Sequence, residues 1–137
     1  MTEAQLKAKL VKALRGRLRL PPEAVRRHED KFTGGGADLS VSKWRRTAWV
    51  EAKLDRPGRR AEVSELQRTT LRALDGLLLT WGLERGGWKT TRLEDSLGFV
   101  LLESRGRRFD HTGAADAIAR WIEEPPQQLL GPLSARR

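Results

Sequence analysis

Hydrophobic and polar positions follow two periods along this chain, and the longer period predicts three helices. Leucine and valine recur every three or four residues over 3–16 and 62–75, which is typical of amphipathic helices. A third helix is expected from an N-cap at Thr112 to Ile122. The residues expected to face inward are Leu6, Leu10, Val11 and Leu14, then Val63, Leu66, Leu71 and Leu74, and finally Ala114, Ile118, Trp121 and Ile122.

Alternation with a period of two predicts strands between these helices. The clearest alternating segments are 37–42 and 47–54, joined by a basic turn and followed by a second turn at Asp55–Gly58. Apolar runs predict further strands at 77–81 and 97–103, and a more polar run predicts a first strand at 24–32. Breaks in regular structure are expected at Gly34–Gly36, in a polar loop over 83–96, in a turn at Ser104–Gly106, and at Pro125–Pro126.

The order of these elements is typical of an α/β fold. The predicted order is helix, strands, helix, strands, helix. This order predicts a mixed central sheet flanked by helices. With 137 residues, the chain is expected to form a single domain over 1–124, followed by a loose C-terminal tail over 125–137.

Composition narrows the possible partners and the compartment. The chain has no cysteine, which excludes disulfides and thiolate metal sites. No apolar stretch is long enough for a signal peptide or a membrane span, so we expect a cytoplasmic protein without a membrane partner. The net charge of +9 favours a nucleic-acid partner, and the alternative is a solubilising, arginine-rich surface.

Two carboxylates and a lysine lie in the alternating segments. Glu51 and Lys53 share one face of their predicted strand, and Asp38 faces the same way if its strand pairs with theirs. A carboxylate pair of this kind suits Mg²⁺, and a nearby lysine can bind phosphate or position a water. The alternative is a surface ion pair between Glu51 and Lys53.

Two residues on the predicted helices are expected to join this group. Glu3 projects in nearly the same direction as the buried stripe of the first helix, at the edge of the core. Gln67 shares the inner face of Val63 and Leu71, where an amide needs a polar partner. The alternatives are a Glu3 that complements the helix dipole and a Gln67 that is exposed to solvent.

The order of glutamate, aspartate, ExK and glutamine resembles the PD-(D/E)XK nuclease superfamily. The run KFTGGGADLSVSKWRRTAWVEAKLDRPG is similar to the core of virus-type replication-repair nucleases and to archaeal- and phage-type Holliday-junction resolvases, over about residues 3–75. The resemblance implies a restriction-endonuclease-like sheet, with Mg²⁺ or Mn²⁺ held by Asp38, Glu51 and the carbonyl of Ala52. It also implies a catalytic role for Lys53, auxiliary roles for Gln67 and Glu3, and a tentative place for Glu3 among the metal ligands.

These features predict a metal-dependent, structure-specific DNA endonuclease. The preferred hypothesis is a Holliday-junction resolvase that cuts four-way junctions as a homodimer, in a bacterial or phage-infected cell. The alternatives are a phage-type nuclease acting on flaps, nicks or single strands, and a non-catalytic DNA-binding module. The homodimer is expected to use apolar material of the C-terminal third, at 77–81, at 99–102 or around Trp121, which either anchors the interface or closes the core.

Basic and aromatic side chains supply candidate contacts to DNA. Trp44 either stacks on a base or packs at a strand end, and His28 and His111 are expected at the surface. The arginines near 105 either bind phosphate or form a solvated hairpin tip. The candidate DNA-binding residues are Lys43, Arg45, Arg46, Arg56, Arg59, Arg60, Arg105, Arg107 and Arg108.

Overall fold

A computed structural model describes residues 1–19, 21, 24–28, 38–43 and 45–124 of the protein. Across these residues three helices and six strands follow one another in the order α1 (Glu3–Leu18), β1 (Val25–Arg27), β2 (Leu39–Lys43), β3 (Arg46–Leu54), α2 (Glu65–Leu74), β4 (Leu77–Arg85), β5 (Trp88–Glu94), β6 (Val100–Gly106) and α3 (His111–Glu123).

The six strands form one mixed sheet in which spatial order equals chain order, β1 to β6. Neighbours are antiparallel except β3 and β4, which run parallel because α2 connects them by a crossover. The expectation of an α/β fold with a mixed sheet and flanking helices is confirmed.

Helices α1 and α3 pack together over one face of the sheet and form the core with it. Thr2 begins α1 as predicted, in a capping box with Gln5. Small side chains on α3 allow α1 to approach closely. The buried residues of the two helices are Leu6, Leu10, Val11, Leu14 and Leu18 on α1, with Ala114, Ala115, Ile118, Ala119 and Ile122 on α3.

Helix α2 lies on the opposite face, which carries the polar side chains of β3. Its predicted inward stripe was mostly wrong, since Leu71 alone of the four residues is buried, while Leu66 and Leu74 are exposed. Among the described residues, α2 has no second apolar layer that would bury Leu66 and Leu74.

Several predicted boundaries in the C-terminal half were also wrong. The expected loop over 83–96 is the β4–β5 hairpin, whose two-residue turn is Gly86–Gly87. The strand expected at 97–103 is shifted to Val100–Gly106, so Ser104–Gly106 continues the strand instead of turning. The N-cap of α3 is Asp110 and not Thr112, because Asp110 Oδ1 accepts from Gly113 N at 2.9 Å.

Some predictions concern residues outside the described ranges. These are the second half of the strand expected at 24–32, the glycine break at Gly34–Gly36, the packing of Trp44 and the tail over 125–137. The other alternating segments, the turn at Asp55–Gly58 and the first strand at Val25–Arg27 fall where the sequence places them, to within a few residues.

Candidate active site

The two predicted carboxylates meet at one end of the β2–β3 hairpin. Leu39 pairs with Val50, so Asp38 lies opposite Glu51, just beyond the last pair of the ladder. Asp38 Oδ2 accepts a hydrogen bond from Ala52 N at 2.9 Å, which fixes the side chain beside β3. Strand pairing therefore brings together two acids that are distant in the sequence.

Glu51 is the buried member of the pair, with 4% of its surface exposed. Gln67 Nε2 donates to Glu51 Oε1 at 2.9 Å, and Lys53 Nζ lies 3.7 Å from the same oxygen. Burial, and after it the neighbouring Asp38, raise the pKa of Glu51 to about 7 against the opposing effect of Lys53 and Lys7. A carboxyl with this pKa takes up a proton near neutrality.

Lys7 belongs to the site, although the sequence did not single it out. Its Nζ forms an ion pair with Asp38 Oδ1 at 2.8 Å, and both side chains are about four-fifths buried. The sequence indicates this position indirectly: Lys7 lies one helical turn after Glu3 and one turn before Val11, at the border of the buried stripe.

Glu3 lies at the rim of this group. It is exposed, and its Oε1 accepts from Leu54 N at 3.3 Å, beyond Lys53 on β3. Within the described ranges, no three side chains of histidine, aspartate or glutamate come together as a metal-binding group. Asp38 and Glu51 are thus a two-carboxylate site, and a ligand role for Glu3 stays a prediction, as does one for the carbonyl of Ala52.

A basic cleft of about 300 Å³ is lined by Lys53, the neighbour of Glu51. The cleft is shaped by Asp55, which accepts from Ala61 N and Leu83 N and so ties the 56–61 loop to β4. Three of the predicted DNA-binding arginines lie in this loop. The residues lining the cleft are Glu3, Lys53, Leu54, Arg56, Arg59, Arg60, Ala61 and Glu62.

The other predicted DNA-binding residues lie elsewhere. Lys43, Arg45 and Arg46 are at the turn of the β2–β3 hairpin, about 17 Å from Asp38 along β2 at about 3.4 Å per residue. Arg46 donates to Ile122 O at 2.8 Å, and Lys43 pairs with Glu123, so both contact α3. Arg105 is on β6, and Arg107 and Arg108 follow it directly.

His28 differs from the surface residue that was expected. It is half-buried, its Nε2 lies 2.7 Å from Ser40 Oγ, and its ring contacts Trp49 at 5.4 Å between centroids. Its backbone N–H donates to Asp38 O, which places it beside the carboxylate pair. His111 is exposed as predicted.

Comparison with known proteins gives no relative for this chain. No protein-family profile, curated protein or solved structure matches it. In the part of the chain that the structure describes, none of the helices combines the length and apolar character needed to cross a bilayer. The site itself therefore carries the functional argument.

Proposed function

We propose that this protein is a metal-dependent DNA endonuclease of the PD-(D/E)XK type. The observation that carries the proposal is the group formed by Asp38, Glu51, Lys53 and Gln67, assembled from two strands and a helix around one buried carboxylate. The six-stranded mixed sheet is compatible with a restriction-endonuclease-like fold, which belongs to the same proposal.

The donor set fits Mg²⁺ or Mn²⁺. Mg²⁺ in phosphate chemistry commonly uses one or two carboxylates, and waters or substrate oxygens complete its shell. Burial, and after it the negative charge of Asp38, raise the pKa of Glu51, and a divalent cation between the two carboxylates would offset the repulsion between them. Bound there, the cation would offset the charge that develops on the phosphate and make a water more acidic.

The surrounding side chains have distinct parts in such a reaction. The Lys53 ammonium, on the same strand face as Glu51, is placed to hold the scissile phosphate or the attacking water. Gln67 orients Glu51 by donating to its Oε1. Lys7 balances the charge of Asp38 when the cation is absent.

Charge supports DNA as the substrate. The cleft beside Lys53 presents Arg56, Arg59 and Arg60 to a phosphate backbone, on a chain with a net charge of +9. The preferred substrate is branched DNA, with the four-way junction as the first candidate and flaps, nicks or single strands as the alternative.

The decisive experiment measures cleavage of labelled four-way junction, flap, nicked, blunt and single-stranded DNA in Mg²⁺, with the cuts mapped. Asp38→Asn and Glu51→Gln should each reduce cleavage by more than about 100-fold, because even the outer partners of metal ligands are worth about 10- to 100-fold. DNA binding should persist, since each change removes a negative charge that repels phosphate.

The matched control is Glu65→Gln, which removes an exposed carboxylate from the first turn of α2. It should cleave like the wild type. Full activity of Asp38→Asn or Glu51→Gln would rule out the proposed site. A wild type that binds these DNAs and cuts none of them in Mg²⁺ or Mn²⁺ would identify a non-catalytic binding module instead.

A further inference from the structure

Trp88 is an exposed aromatic residue that the fold does not use in its core. It begins β5 directly after the Gly86–Gly87 turn, and 47% of its surface is exposed. Both turn glycines have positive φ, 61° and 80°, as two-residue hairpin turns require. The turn thus holds the indole at the tip of a tight hairpin.

Strand register places Trp88 on the same face of the sheet as Glu51. Glu51 pairs with Leu78 and Leu78 with Glu94, and Trp88 is an even number of residues from Glu94 along β5. On this face α2 packs on β3 and lies beside Leu78 of β4 and Glu94 at the far end of β5. Along this face of β5, exposure is greatest at Trp88, at the hairpin end.

Two arginines of the β6 edge accompany the indole. Lys89 pairs with Gly106, which puts Arg107 opposite Trp88, and its guanidinium carbon lies 5.6 Å from the centre of the indole ring. Arg105 pairs with Thr90 on the same face, and both arginines are exposed. We call Trp88, Arg105 and Arg107 the indole platform.

The opposite face of the same hairpin has its own aromatic packing. Trp81 is buried against Phe109, with ring centroids 6.2 Å apart, and Lys89 covers the Trp81 ring at 4.7 Å. The core is therefore complete without Trp88, and leaving so large an apolar side chain in water forgoes the stabilisation that burial would give.

The platform lies within reach of a DNA strand bound at the carboxylate site. Lys53 pairs with Thr80 and Thr80 with Arg92, which is four residues from Trp88 along β5. Two strand spacings and four residues correspond to a separation of about 17 Å. That is about five base steps of B-form DNA at about 3.4 Å each.

We propose that the indole platform binds an unpaired base of the DNA, next to the duplex that enters the basic cleft. An indole offers a flat surface to any base, and arginines beside it bind the phosphates of the same strand, which is how proteins hold single strands. The inference rests on the proposed function and makes it more specific: the substrate carries unpaired nucleotides beside the cleaved duplex.

The test measures binding to a labelled duplex with a short oligothymidine tail and to the same duplex with blunt ends, in a chelator so that no hydrolysis occurs. Trp88→Ala should weaken binding of the tailed DNA about 10-fold and leave the blunt duplex unchanged. Trp88→Phe keeps an aromatic face and should retain most of the affinity. The control Phe99→Ala removes an exposed aromatic residue from the segment before β6, and should change neither affinity.

Trp88→Leu keeps an apolar side chain without an indole face, and it should show the same selective loss if Trp88→Ala does not fold by circular dichroism. Equal weakening of both DNAs, or unchanged binding of the tailed DNA, overturns the inference while metal-dependent cleavage by the wild type still upholds the proposed function. A wild type that binds neither DNA in the chelator overturns the inference, and one that also cleaves no DNA in Mg²⁺ or Mn²⁺ overturns the proposed function.

Discussion

At the scale of single residues, the site balances two carboxylates against two ammonium groups. Lys7 pairs with Asp38, and Lys53 lies beside Glu51, so each carboxylate has an ammonium group next to it. In the proposed function, a divalent cation at Asp38 would compete with the Lys7 ammonium for one carboxylate.

This competition predicts that Lys7→Met binds Mn²⁺ more tightly than the wild type does. The affinity for Mn²⁺ should increase about 5-fold, which corresponds to the loss of an ion pair worth about 1 kcal/mol. Isothermal titration in the absence of DNA measures it directly. Lys9→Met removes the same charge from the exposed side of α1 and should leave the affinity unchanged. A Lys7→Met protein that binds Mn²⁺ less tightly would show that Lys7 supports the cation and does not oppose it.

The raised pKa of Glu51 predicts a specific dependence of stability on pH. Its pKa rises from 4.5 to about 7 on folding, so between these values the folded state holds a proton that the unfolded state has lost. The contribution of Glu51 to stability is complete below about pH 4.5 and is lost as pH rises to about 7.

In a chelator, the melting temperature of the wild type relative to Glu51→Gln should therefore fall by several degrees between pH 5 and about pH 8, by the linkage of protonation to folding, and stay level above that range. Differential scanning calorimetry on the two proteins gives the comparison. If the difference in melting temperature between the two proteins is constant across this range, Glu51 keeps its ordinary pKa in the folded protein.

At the scale of the elements, one amide joins the start of α2 to the site. Gln67 Oε1 accepts from Ser64 N in the capping box of α2, while its Nε2 donates to Glu51. The helix cap and the orientation of the buried carboxylate thus depend on the same side chain.

Comparing Ser64→Ala with Gln67→Ala separates these two functions. Each should lower the free energy of unfolding by about 1 kcal/mol through loss of the cap. Gln67→Ala alone should also weaken Mn²⁺ binding, by about 10-fold, because Glu51 loses its orienting partner. Thermal melts and titration of the two variants provide both readouts. Equal Mn²⁺ affinities in the two variants would show that the contact between Gln67 and Glu51 does not support the ligand.

Most helices and strands were predictable from the periodicity of apolar residues, and the wrongly predicted boundaries have local causes. The sequence of β5 predicts a loop because one face carries the polar residues Thr90, Arg92 and Glu94, and the other includes Thr91 and the Lys89 stem instead of an apolar run. The turn signal Gly86–Gly87 was present in the sequence. Asp110 displaced Thr112 as the cap of α3 because tertiary contacts hold it: Asp110 N donates to Thr91 Oγ1, and its carboxylate accepts from Ser104.

The sequence predicted the residues of the candidate site better than it predicted the ends of the helices and strands. Asp38, Glu51 and Lys53 could be placed together because strand periodicity and a short hairpin determine their face. Lys7 could not be placed, because its role depends on how α1 sits at the end of the sheet. Its helical spacing from Glu3 and Val11 places it at the border of the buried stripe, but does not show that Asp38 lies opposite.

At the scale of the whole molecule, positive charge is spread over regions with different surroundings. Arg56, Arg59 and Arg60 line the cleft beside Lys53, while the indole platform lies farther along the same face of the sheet. The β2–β3 turn is at the far end and is bonded to α3. In the proposed function, DNA that followed the cleft toward the platform would approach the carboxylates from one side of the sheet.

The number of chains on each DNA is the last prediction, and it decides between the two classes of substrate. Of the segments that the sequence offered for a dimer surface, Leu77, Leu79, Trp81, Ile118 and Ile122 are buried in the core, and Trp121 packs against it. Phe99, Val100 and Leu101 stay exposed at the edge of the sheet. Most of these apolar side chains are thus already buried within one chain and do not require a second copy to cover them.

A four-way-junction resolvase must present two sites related by a two-fold axis, so light scattering should find two chains per junction, and mapped cuts should fall in symmetric pairs. One chain per junction, with single cuts beside unpaired nucleotides, would instead favour the flap or single-strand nuclease. The indole platform agrees better with that second outcome, because a single chain then holds both the cleaved duplex and the adjoining unpaired strand. The four-way junction and a flap DNA should be compared at the same protein concentration. Light scattering in a chelator gives the number of bound chains, and mapped cuts in Mg²⁺ give the cleavage pattern.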